Sequence, residues 1–134
     1  MANLANQMIA QKANLRRDIF RFDGAHPVCR PEMIDPRETF PLLAGTVLAR
    51  ATDSKFLIRY EDAGLNGADV AVGMLLDEVR QPADLLAAGS DPVAVPADLV
   101  IHGVAPNAEN IANLTATAKT QLAALGVYAY TAIV

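Results

Sequence analysis

Two histidines, His26 and His102, and a single cysteine, Cys29, are the side chains best equipped for metal or nucleophilic chemistry. His26-x-x-Cys29 supplies two ligands where a zinc site needs three or four, and Pro27 lies between them in a loop setting. Cys29 with the distant His102 would make a nucleophile and base, yet no motif frames either residue. Cys29 is read instead as a thiol tucked under a surface segment. The alternative is a disulfide between subunits, formed where the surroundings are oxidising. Glu61-Asp62 and Asp77-Glu78 are adjacent carboxylates. Neighbours on a strand point to opposite faces, which suits solvation better than acid/base work. Asp53-Ser54 beside Lys55 is turn chemistry, and Gly64, Gly67 and Gly73 lack the Gly-Lys-Ser/Thr that completes a phosphate loop. Asn113-Leu114-Thr115 matches a glycosylation acceptor in form only. The expectation is a protein with no catalytic residue, no cofactor and no metal.

The elements that would carry such residues are those of one domain of 134 residues. Hydrophobic residues make up 52% of the chain, but aromatics only 5%, with no Trp. A core rich in alanine buries little area per side chain, so association with copies of itself or with a larger surface would help it. The formal net charge is −4, and Arg16-Arg17 is the lone adjacent basic pair, which argues against nucleic-acid binding. No apolar run approaches the ~20 residues of a membrane span. The first fifteen residues do not read as a secretion signal, so synthesis in the cytoplasm is expected.

Three zones follow one another. Residues 1–41 form an extended arm and tether. Its leader, Met1 to Leu15, has too few apolar positions to bury a helical face. Phe20 and Phe22 alternate with Arg21, which suggests a short strand near Asp18 to Asp23. Pro27, Pro31, Pro36 and Pro41 then predict extended backbone lying on a surface. Residues 42–134 form the β-rich body. Strands are expected at Gly45–Ala51 and Lys55–Tyr60, joined as a hairpin, then at Ala68–Val79 and Leu99–Val104. A helical turn is expected near Leu85–Ala88. Thr115 predicts a cap for a helix over Ala116–Leu125, with Gly126 as its stop and Ala118, Leu122 and Leu125 on one face. A last strand begins at Val127. The fold class is mainly β with minor α.

The order and spacing of several segments resemble the head decoration proteins of lambda-like tailed phages. The segments are Gly45-Thr46-Val47-Leu48, Phe56-Leu57-Ile58, a Gly- and Asp-bearing loop, Gly67-Ala68-Asp69-Val70-Ala71-Val72-Gly73-Met74-Leu75 and Gln121-Leu122-Ala123-Ala124-Leu125-Gly126-Val127. The resemblance covers about Pro41 to Val134. It implies a compact β body that assembles as a homotrimer on the outer surface of the virion. Such trimers sit at three-fold and quasi-three-fold positions of the expanded head, clamp the major capsid protein and resist the pressure of packaged DNA. No direct nucleic-acid partner and no membrane are implied. The alternative is a surface- or carbohydrate-binding module displayed on a virion, against which the scarcity of aromatic stacking faces weighs.

The arm has a physical logic of its own. A strand-prone segment has unpaired backbone groups unless a partner sheet accepts it. One short strand binds weakly, and three arms on one trimer bind through effective concentration. The expected capsid-binding residues are Arg16, Arg17, Ile19, Phe20, Arg21 and Phe22, with the aromatics as anchors and the arginines meeting capsid carboxylates. The competing expectation is that this strand joins the domain's own sheet and its aromatics are core.

Overall fold

The computed structural model describes residues 20, 27–105, 108 and 111–130. Among the described residues, six strands and two short helices make a mainly β architecture. The strands are β1 (Val28–Ile34), β2 (Val47–Arg50), β3 (Leu57–Arg59), β4 (Ala71–Leu75), β5 (Val95–Ala105) and β6 (Val127–Ala129). Helix α1 spans Ala83–Ala87 between β4 and β5, and α2 spans Ala116–Leu125 between β5 and β6. The sheet order is β1-β3-β2-β4-β5-β6, and β1 also pairs with β5, so the first five strands in that order close into a barrel.

The stretch expected as a proline-spaced tether is a barrel strand. Its backbone is extended, as the prolines require, but it pairs antiparallel with β5 from Val28↔His102 to Ile34↔Val95. Pro31 is tolerated there because the other edge of β1 meets β3 at Ile34↔Leu57 alone. A boundary at residue 41 therefore cuts through the β body rather than preceding it. β5 also starts earlier than expected, at Val95, and runs through Pro96.

The β2–β3 hairpin forms as its turn residues predict, with Leu48↔Arg59 and Arg50↔Leu57 in register. β4 pairs with β2 and with β5, and Gly73 permits this approach: a Cβ there would stand 2.5 Å from the carbonyl oxygen of Val100. The α2 boundaries coincide with the local signals. Thr115 accepts from the Ala118 N–H, and Gly126 adopts φ 95°, a left-handed conformation that costs a residue with a Cβ about 1 kcal/mol or more. β6 then adds to β5 in parallel, Gly103↔Val127 to Ala105↔Ala129.

Alternation along the strands builds two cores. Ile34, Leu48, Leu57, Leu75 and Leu99, one from each barrel strand, belong to the cluster that fills the barrel. Their neighbours Val47, Ala49, Met74 and Val100 point the other way. These meet Phe20, Tyr60 and the buried face of α2, Ala118 and Leu122. Leu125, expected on that face, is exposed. No helix among the described residues is long and apolar enough to cross a membrane.

Candidate interaction surfaces

Phe20 is 1% exposed and packs in the chain's own core. For this residue the burial matches the reading of a core aromatic, not of a side chain held out to a partner. Arg16, Arg17, Ile19, Arg21 and Phe22, like His26, lie outside the described residues. Cys29 is half-buried against the core, and its thiol lies 3.9 Å from the carbonyl oxygen of Pro27. His102 is exposed and pairs in register with Val28, so the barrel brings Cys29 and His102 to neighbouring rungs but on different faces. They are not a nucleophile and base. Among the described residues no group of three or more His, Cys, Asp or Glu is arranged to hold a metal ion.

A first surface lies where β1, β5 and β6 meet. Val28 faces His102 across the β1–β5 ladder, and Val104 faces Tyr128 across the β5–β6 ladder. His102 and Val104 are two residues apart on one strand face, as are Tyr128 and Tyr130. Val28, Val104, Tyr128 and Tyr130 are all exposed. Tyr60, by contrast, is buried, with its hydroxyl donating to Asp62 at 2.6 Å. Two exposed tyrosines beside two exposed valines have the composition of an interface centre.

A second surface surrounds the turn after β3. Arg30, Arg37, Arg50 and Arg80 each pair with a carboxylate. The Arg59 guanidinium, alone among the described arginines, has no such partner. It lines two clefts, one of 190 Å³ shared with Leu43 and one of 320 Å³ shared with Leu65. Both leucines are exposed, and Leu65 is 87% exposed. Leu65 sits in a loop held by its own backbone hydrogen bonds. Ala63 at φ 55° and Asn66 at φ 60° are left-handed, and for alanine that conformation costs roughly 1 kcal/mol. The loop is braced by Gly64 N–H to Glu61, Ala68 N–H to Leu65 and Glu61 N–H to Ala68, all to carbonyl oxygens. Asn66 ties it to the β2–β3 turn by donating from Nδ2 to Asp53 Oδ1 at 3.1 Å and accepting from the Asp53 N–H at 3.2 Å.

That turn carries the most concentrated charge network in the body. Asp35, which is 1% exposed, accepts from Nε, Nη2 and the backbone N–H of Arg37 and from the Ser54 hydroxyl. Arg37 also donates to Asp53 from Nη1 and Nη2. Hydrogen bonds from the guanidinium hold both carboxyls far below the usual range, against the opposing effect of desolvation, and the same bonds to Asp35 and Asp53 raise the Arg37 guanidinium above its ordinary value. Glu32 is shifted down by the Arg50 side chain, which donates to it at 2.7 Å. All these ionic groups satisfy one another, so the network is a brace and offers no open site. A further cleft of 390 Å³, lined by Phe40, Leu86 and Pro92, has Arg80 at its rim, already held by Glu78.

Three side-chain amides escaped sequence reading although they tie distant elements together. Asn113 accepts from the Val47 N–H at 3.1 Å and donates to the Val47 and Tyr60 carbonyls. Gln121 on α2 accepts from the Ala71 N–H at 2.6 Å and donates to the Asp69 carbonyl. Gln81 makes the same two-way pairing with Val93. Each behaves as a one-residue strand, and no local signal marks an amide for that use.

No protein-family model matches the chain, and no curated protein is detectably similar to it.

Proposed function

We propose that this protein is a capsid decoration protein of a tailed phage, a homotrimer that binds the outer surface of the expanded head at three-fold and quasi-three-fold sites and stabilises it. Its barrel is, in this reading, a variant of the head decoration fold. The observation that carries the proposal is the exposed face of Val28, Val104, Tyr128 and Tyr130. Apolar and aromatic side chains grouped on neighbouring strands suit permanent contact with protein better than turnover of a substrate. In the trimer this face is the contact between copies. A light core of many alanines gains from such burial.

The test has two stages. The full chain, 14.2 kDa as a monomer, is run by light scattering and is expected at three times that mass. It is then mixed with unexpanded and expanded empty heads of the phage that encodes it. Binding to the expanded form alone is the expected result. A monomer that ignores both forms overturns the proposal. The two exposed tyrosines also give the carbohydrate-binding alternative its one supporting observation, and saccharide titration read by tyrosine fluorescence separates the two.

A further inference from the structure

We propose that Arg59 and Leu65 form the site at which this chain docks on the shell. Leu65 enters an apolar pocket of the major capsid protein, and Arg59 meets a carboxylate on that pocket's rim. The inference rests on the decoration reading above and gives it a contact site.

Two independent observations converge on it. The first is electrostatic. Arg59 is the described arginine that the body leaves without an acid, while Arg37 beside it is neutralised twice over. Glu38, which lines the same cleft, is committed to the backbone N–H groups of Arg59 and Thr39. A guanidinium flanked by apolar side chains takes a carboxylate in a two-pronged bond and gains strength as water is excluded. The same cleft holds Glu38 and Glu61, so a nucleic-acid backbone, which needs a run of cations, is a poor occupant.

The second observation is mechanical. A large aliphatic side chain is held almost wholly in solvent on a loop that accepts left-handed alanine and is braced on both sides. A slack loop would let that leucine fold back. Holding it out means that the ordering cost of binding is already met, which is the property of an anchor residue. Leu43, exposed across the Arg59 side chain in the adjoining cleft, extends the footprint. None of these residues belongs to the Val28–Tyr130 face. A trimer joined through that face therefore presents this site three times, and modest single contacts become tight attachment.

The experiment compares the full chain with Leu65→Asp, Leu65→Ala, Arg59→Glu and Arg59→Lys, with Leu86→Asp as an exposed control from the other cleft. Light scattering and circular dichroism check mass and fold, and co-sedimentation with expanded empty heads measures binding. Leu65→Asp and Arg59→Glu are expected to weaken binding at least tenfold with the trimer intact. Leu65→Ala and Arg59→Lys fall between, and Leu86→Asp binds as the parent chain does. If the Leu65 and Arg59 variants bind like the parent, the docking site is wrong and the decoration reading stands. If Leu86→Asp is equally impaired, or the variants lose trimer mass, the site is overturned as a specific shell contact. If the parent chain itself ignores expanded heads, both proposals fall.

Discussion

The Ser54 hydroxyl donates to Oδ2 of Asp35 at 2.6 Å, joining the end of β1 to the β2–β3 turn across 19 positions of chain. That bond closes the barrel at its narrowest seam, where Ile34 meets Leu57 and the Asp35 N–H reaches the Leu57 carbonyl at 2.8 Å.

The seam makes stability depend on pH in a defined sense. Bonds from Arg37, then from Ser54, depress the Asp35 carboxyl below its unfolded value of roughly 3.9. A depressed carboxyl contributes stability that is complete above the unfolded value and is lost as pH falls below it. Asp35→Asn is expected to cost about 2 kcal/mol at pH 7, where charge-assisted bonds are lost. The gap between the two proteins shrinks as pH is lowered from 5 to 2. Urea unfolding at pH 7, 4 and 2.5 measures it, and a gap independent of pH would refute the assignment.

Gly126 and Gly89 have the same left-handed backbone but different surroundings. A Cβ on Gly126 would stand 2.6 Å from Cδ2 of His102, whereas nothing lies within 4 Å of one on Gly89. Gly89→Ala is expected to cost about 1 kcal/mol for the backbone alone. Gly126→Ala is expected to cost roughly 1–2 kcal/mol more from the forced contact. His102→Ala in the Gly126→Ala background recovers that excess. Thermal unfolding of the four proteins completes the comparison, and equal losses at the two glycines would show that the ring gives way freely.

Asn113 separates shape from hydrogen bonding. Asn113→Ala strands the buried Val47 N–H and is expected to cost about 2–3 kcal/mol. Asn113→Asp keeps that acceptor and nearly the same shape. Its carboxylate, however, faces the Val47 and Tyr60 carbonyls that the amide nitrogen now serves. The aspartate variant is therefore expected to be at least as unstable as the alanine one. Chemical denaturation decides it: a near-native Asn113→Asp would mean that the donor side of the amide contributes nothing.

What could be read in advance was what is encoded locally. Helix α2 was legible to the residue because Thr115 and Gly126 act on groups three or four positions away. The β2–β3 hairpin and the Gly-rich loop before β4 were legible for the same reason. β1 was not, because its prolines speak only of φ, while its partner β5 lies about 70 positions on, and nothing in an extended segment says whether it will be paired. Barrel closure at Ile34↔Leu57 and the strand-like use of Asn113, Gln81 and Gln121 are equally non-local. Of the second surface, the turn chemistry of Gly64, Asn66 and Gly67 was visible. That Leu65 would be held outward and Arg59 left without an acid required the packing of everything around them.

The start of β1 and the residue after β6 sit close together on one strand. Val28 lies opposite His102, and the Tyr130 N–H reaches the Ala105 carbonyl at 3.0 Å, three residues further along β5. At about 3.3 Å per residue the two crossings are separated by roughly 10 Å. Peeling β6 away from β5 would thus lay bare the stretch of β5 next to the start of β1, so the two pairings are exposed to the same disturbance.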